Sequence, residues 1–308
     1  MSRQVTPHGS PEPPLPETPE RQAIRARLLQ HLTYLSVTLG ERSIYRPKNL
    51  RAAEDYVFRA FQELGYPVTR QVFLCQKQEV ANVIAGMVKP AGYYILGAHF
   101  DTVAGSPGAD DNASGVAVML EVARLVKDIP LPRPWVFIGF TTEEPPVFGS
   151  LYMGSDIYAR RARREGHRIL GMLCLESVGY FRPEPDTQVI PLPLKFLGYP
   201  TTGNFLGLIS DRRSKALMER LKAALTAEGT LPVETLAVPL GGYLVPETRL
   251  SDHANFWDQG YPAVMLTDTA FLRNPNYHTE RDRLETLNLT AMVELTLGLA
   301  RFLRQEAG

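Results

Sequence analysis

The chain has little of three things, and each shortage excludes a class of protein. Its 308 residues include two cysteines, Cys75 and Cys174, each inside an apolar run (QVFLC and GMLCL). That count excludes a small scaffold stapled by disulfides, and both thiols read as buried and free. Charge of either sign is not in excess: Lys plus Arg and Asp plus Glu number 33 each. A balance of zero speaks against a surface built for nucleic acid or an anionic membrane. No apolar run is long enough to span a bilayer, and no hydrophobic segment near the N-terminus resembles a secretory signal. The expectation is a cytoplasmic protein that binds neither nucleic acid nor membrane.

What is present is an ordinary globular composition, 44% hydrophobic and 21% charged, with apolar surface for a sizeable core. Six of the first nineteen residues are proline, so residues 1–19 read as a disordered tail and 20–308 as one domain. Thr18-Pro19-Glu20 has the chemistry of a helix start, and the helix is expected to run to about Val37. A second amphipathic helix is expected over Leu50–Leu64, closed by Gly65. Strand-like runs follow at Gln71–Leu74, Asn82–Met87, Tyr93–Gly97, Trp135–Phe140, Ile169–Leu175 and Ala263–Leu266. Helix-like runs alternate with them at about Ser114–Lys127, Gly154–Arg164 and Arg212–Thr226, and a last one covers Thr290–Arg304. Alternation of this kind predicts a single α/β domain with a mostly parallel central sheet flanked by helices. Arg182–Thr202 and Pro239–Leu250, rich in Pro and Gly, read as long loops.

The informative residues sit where the apolar strands stop. YYILGAHFDTV ends a strand on His99 and Asp101, WVFIGFTTEE ends one on Glu143 and Glu144, and ILGMLCLESVGY ends one on Glu176. GADDNASG presents Asp110 and Asp111 just ahead of an apolar helix, and NPNYHTERD places His278 in a polar loop. Ligands of open α/β sheets bind at the carboxyl ends of strands. Zinc takes imidazole and carboxylate ligands, and a two-metal hydrolytic site needs one bridging acid plus a His and an acid for each ion. The chain supplies that set. Glu143, beside a ligand but not needed as one, is a candidate general base. Asp101 shares a strand face with His99 and is placed to accept its second imidazole N–H.

Each of these residues alone would be unremarkable; in this order they are not. GAHFDTV, GADDNASG, TTEE, LESVGY and YHTERD together resemble the aminopeptidase Y family of dinuclear zinc exopeptidases. That family includes bacterial leucyl aminopeptidases, glutamate carboxypeptidases, glutaminyl cyclases and the transferrin-receptor ectodomain. The resemblance covers about residues 80–290 and implies a zinc-exopeptidase, phosphorylase/hydrolase-like fold. It makes Asp111 the bridging ligand, His99 and Glu176 the partners of one Zn²⁺, Glu144 and His278 those of the other, and Glu143 the base. It also implies a cis peptide bond between Asp111 and Asn112. The implied activity is removal of N-terminal residues from a peptide substrate. The alternatives within the family are a one-zinc glutaminyl cyclase and a carboxypeptidase. Only twelve positions separate His99 from Asp111, which fits this branch better than the aminoacylases, where that gap is much longer.

Two departures stand out: Glu176 occupies a position where relatives commonly have Asp, and nine residues (145–153) precede Gly154-Ser155 where the family usually has fewer. Asp252, in SDHANFW, matches a position near the site in the glutaminyl cyclases, so the resemblance makes it a further candidate acid, and His253 beside it is undecided between structural and functional roles. His8, His31 and His167, and the arginine run from Arg160 to Arg168, read as surface features.

Overall fold

A computed structural model describes residues 16–306 apart from Glu228 and Thr230, so the proline-rich tail expected over 1–19 lies, up to residue 15, outside the described residues. Helix α1 (Pro19–Leu32) starts as its sequence dictates, with proline in the first turn and the Thr18 hydroxyl accepting from the Arg21 N–H at 3.2 Å. It ends earlier than expected. From Thr33 to Leu39 the chain widens into a π-helical segment, which Gly40 closes at φ 67°. Helix α2 (Pro47–Glu63) buries Leu50, Val57 and Phe61 and starts three residues before the expected Leu50.

The hairpin β1 (Val68–Cys75) and β2 (Gln78–Ala85) then leads into β3 (Tyr93–His99), helix α3 (Gly115–Val126) and β4 (Trp135–Phe140). Helix α4 (Gly154–Arg164) and β5 (Ile169–Glu176) follow, then β6 (Leu206–Asp211), α5 (Lys215–Thr226) and β7 (Val233–Val238). A short α6 (His253–Asp258), β8 (Ala263–Thr267) and the long α7 (Leu289–Gln305) complete the chain. The eight strands form one sheet in the order β1-β2-β4-β3-β5-β8-β6-β7. Its centre, β4-β3-β5-β8, is parallel, and the two flanks join it through antiparallel pairs.

Central strands of such a sheet are covered on both faces, which is why they read as unbroken apolar runs. Every residue of β3, β4 and β8 is buried. One face packs against α1, α2, α3, α5 and α7, where Leu28, Phe61, Val118, Leu221 and Leu299 are fully inaccessible. The other packs against α4 and α6 through Tyr158, Ala159, Phe256 and Trp257. Both cysteines are buried and free, as their settings imply. No helix is long and apolar enough to cross a membrane among the described residues.

Strands β6 and β7 are absent from the expectations above. LGLISD and VETLAV each carry polar residues within the strand, so neither repeats the unbroken apolar run of the central strands. The sheet admits them because they lie at one flank, where β7 is only half-buried.

Candidate metal centre

Three parallel neighbours deliver the site at their carboxyl edges. His99 closes β3 opposite Phe140 of β4, and Glu176 closes β5 opposite Thr267 of β8. After Phe140 the chain leaves the sheet, and Thr142 turns it at φ 56°. Glu143 and Glu144 therefore lie in a turn. A continued strand would send their side chains to opposite faces; the turn brings both carboxylates within 4.8 Å of a His99 nitrogen.

Asp111 is presented by an irregular segment, Ala109–Ser114, whose Asp111–Asn112 peptide is cis, as the resemblance implies. Gly108 makes the segment possible: at φ 59° it sits where a Cβ would fall 2.3 Å from Thr102 Cγ2 and 2.4 Å from the Asp111 carbonyl. Asn112 ties the segment to β5, donating to the Leu175 carbonyl at 2.7 Å and accepting from the Ser177 N–H at 3.1 Å. His278 comes from the far loop at φ 60°, its ring stacked on Tyr277 at 3.8 Å between centroids.

The five predicted ligand residues converge. His99, Asp111 and Glu176 offer ligand atoms within 4.8 Å of one another, and so do Asp111, Glu144 and His278. Asp111 belongs to both groups: Oδ1 lies 3.3 Å from His99 Nε2 and Oδ2 lies 3.1 Å from His278 Nε2. Glu176 Oε2 is 3.2 Å from His99 Nε2, and Glu144 Oε2 is 3.1 Å from His278 Nε2. Yet the buried Nε2 atoms of both histidines, Asp111 Oδ1 and Glu144 Oε1 have no hydrogen-bond partner in the protein. Buried polar atoms are rarely left so. A divalent cation held by two such groups fits this donor set, since imidazole and carboxylate are its ordinary ligands.

The electrostatics agree. Burial pushes the His278 imidazolium down, but the carboxylates of Asp111 and Glu144 outweigh it and carry the group up to about 10. Burial and the charge of Asp111 push Glu144 up to about 8. Burial would also raise Asp111, but the two histidines hold it below the usual carboxylate range. Glu143 is raised well above its ordinary value, chiefly by burial, against the pull of His99 and with the push of Glu176 and Glu144. A cation entering this centre must displace protons from His278 and Glu144. Metal binding at pH 7 should therefore release protons, and affinity should rise as pH rises from 6 toward 8. Titration calorimetry in two buffers of different ionisation enthalpy checks this; equal heats in both would contradict it.

Asp101 acts differently from the expectation. Its Oδ1 is 3.6 Å from His99 Nδ1, longer than a hydrogen bond, and its oxygens are engaged elsewhere. They accept the backbone N–H groups of Glu143 and Glu144 at 3.1 Å each. Asp101 thus fixes the turn that aims those two carboxylates.

Other buried groups surround the centre; of these, Asp282 and Ser251 carry no signal in the sequence, whereas Asp252 and His253 were candidates there. Asp282 accepts from the Asp110 and Asp111 N–H groups at 2.8 and 3.1 Å, joining the His278 loop to the cis segment. Ser251 donates to Glu176 Oε2 at 2.7 Å. Asp252 is fully buried with neither oxygen hydrogen-bonded, and burial pushes it up to about 7. His253 is structural: it is within 2.8 Å of the Thr248 carbonyl, edge-on to Trp257, and burial lowers it to about 4. The arginine run lies on α4 up to Arg164, with Arg168 in the link to β5; Arg160 pairs with Asp156 and Arg161 with Glu165.

Arg42 is fully buried, and its guanidinium donates to the carbonyls of Leu35, Gly40, Phe100, Pro107 and Gly108. It binds the π-helical segment to the two loops that carry Asp101 and Asp111. Arg42→Leu takes the guanidinium from all five carbonyls, of which those of Leu35 and Gly108 keep the backbone N–H groups of Gly40 and Ala113, and should cost about 3–5 kcal/mol of stability. Urea unfolding reads this as a lower midpoint at unchanged m.

Comparison with known proteins places this geometry. The description of peptidase family M28 matches residues 82–303, the stretch that holds all five ligand candidates. The chain belongs to peptidase family M28. It is 34% identical over 299 residues to the Escherichia coli protein YfbL, covering 94% of this chain and 90% of that one. It is 25% identical over 227 residues to a probable aminopeptidase of Saccharomyces cerevisiae, YDR415C, and spans 53% of that protein's length. Among solved structures, the Legionella pneumophila LapA aminopeptidase superposes with a TM-score of 0.70 at 20% identity, over 94% of this chain and 74% of that one. As an M28 member the chain is a metallopeptidase-like enzyme with a candidate two-metal centre.

Proposed function

We propose that the protein is a dizinc aminopeptidase that removes N-terminal residues from peptides. The observation that carries the reading is the pair of three-residue groups sharing Asp111, with Glu143 beside them and outside both. His99 and Glu176 would hold one Zn²⁺, Glu144 and His278 the other, and Asp111 both. Two cations so held supply Lewis-acid polarisation of the scissile carbonyl and a water that ionises near neutral pH.

The chain's own residues supply the rest. Glu143 is 5% exposed and its Oε2 lies 3.9 Å from His99 Nε2, so it faces the centre from a site that excludes bulk water. Its raised proton affinity suits it to take a proton from the attacking water and deliver it to the leaving amine. Asp101 keeps it aimed through the two backbone N–H groups. Tyr277, stacked on His278, covers that ligand from the side of the adjoining cleft.

The test is metal analysis of the purified, zinc-saturated protein together with a panel of aminoacyl chromogenic substrates. Two ions per chain and release of the chromophore are expected. A saturated protein holding one ion and cyclising N-terminal glutamine would replace this reading with the cyclase alternative.

A further inference from the structure

Beside the metal centre lies a cleft enclosing about 870 Å³ of space, solvent at its mouth included, with Glu176 and Tyr277 in its wall. Its floor is one face of the sheet. Strand register places Glu176 opposite Thr267, Thr267 opposite Gly207, and Gly207 opposite Glu234. These four residues form a single row across β5, β8, β6 and β7, and all four line the cleft. The next row, Met265, Ile209 and Leu236, carpets the floor with apolar side chains.

The row starts at a ligand candidate and ends at a carboxylate. Three inter-strand steps put about 14 Å between the Cα atoms of Glu176 and Glu234. Gly207, between them, contributes no side chain, so the space above the row stays open. A second carboxylate, Glu247, reaches the same cleft from the short 3₁₀ turn Pro246–Arg249.

Both glutamates are half-buried, and neither makes a hydrogen bond or ion pair among the described residues. No Lys, Arg or His lines the cleft among those residues. The nearest arginine in sequence, Arg249, is engaged by Asp258 and the Gly241 carbonyl. Two carboxylates without a protein partner, in a cleft whose wall supplies no cation, leave room for a positively charged group to pair with them. The required ligand has an aliphatic stem for the floor and a positive head for the far end.

We infer that the cleft selects a basic N-terminal residue, lysine or arginine, with its head held by Glu234 and Glu247. The inference rests on the aminopeptidase reading and adds the substrate class. With the scissile carbonyl at the metal ligands, an extended lysine or arginine reaches about 6 Å from its Cα along the row. Closing the rest of that span is left to the Glu234 side chain, which enters the same cleft. A leucine stops over Met265 and Ile209 and leaves both carboxylates unpaired.

The experiment uses the zinc-saturated enzyme with lysyl, arginyl, norleucyl and leucyl chromogenic substrates. Norleucine keeps the lysine stem and lacks the charge. The lysyl-to-norleucyl ratio of kcat/KM should be about tenfold or more for the wild type. In E234Q/E247Q the ratio should approach one, with metal content and melting temperature as the check that the variant is folded. Should the double variant unfold, E234Q alone is read in the same way. A wild type that uses norleucyl or leucyl substrates as well as lysyl, or a ratio that survives in the variant, overturns the inference and leaves the aminopeptidase reading standing. A wild type that holds two ions and cleaves none of the four overturns both.

Discussion

Glu143→Gln should lower kcat by about 10²–10⁴-fold while both metal ions remain bound. The substitution preserves size and removes the proton acceptor. Because Glu143 lies outside the two groups that share Asp111, the ligands proposed for both ions stay intact. KM should change little, since the loss falls on a step after binding. The neighbour gives the contrast. Glu144 Oε2 lies 3.1 Å from His278 Nε2 within one of those groups, so Glu144→Gln should weaken one metal and recover part of its activity in excess zinc. Metal content and kcat measured on both variants decide the matter. A Glu143→Gln enzyme that is near fully active, or that has lost an ion, would show that the two roles are misassigned.

The second large effect is expected at Asp111. It is the one ligand candidate whose two oxygens face different histidines, Oδ1 toward His99 and Oδ2 toward His278. Asp111→Ala should therefore empty both positions and abolish turnover, whereas His278→Ala should empty one. There is a thermal signature as well. Ions that bind the folded protein alone stabilise it by mass action, about 2.7 kcal/mol at a hundredfold excess over Kd. Chelator should thus lower the melting temperature of the wild type and leave that of Asp111→Ala unmoved. One ion retained by the Asp111→Ala protein would mean that the ion is held without the shared carboxylate.

The centre was legible in the sequence for a physical reason. Parallel strands buried on both faces must be apolar throughout, so the first polar residue after such a run marks the carboxyl edge where ligands gather. His99 and Glu176 are marked in that way, and the Glu143-Glu144 pair follows two threonines beyond the end of β4. The five short motifs, taken together, carried the family resemblance. Hydrophobic pattern alone also gave the α/β class and the mostly parallel sheet.

What it did not give was anything set by contact between distant segments. Whether Glu143 and Glu144 share a side depends on a left-handed turn at Thr142 and on Asp101, forty-two positions upstream of Glu143. The clamp of Asp282 on the Asp110 N–H joins residues 172 positions apart. Strand β7 lacks the apolar run that identifies the central strands because the flank leaves it half-buried, and the run of β6 is cut short by Ser210 and Asp211 although both are buried. Without those strands the row from Glu176 to Glu234 cannot be seen, although every residue in it is plain in the sequence. Local chemistry named the ligand candidates, because residue type at a strand end and in the adjoining loops is written in the sequence. Tertiary structure decided what lies around them, because register and loop crossings are fixed by packing across the whole sheet.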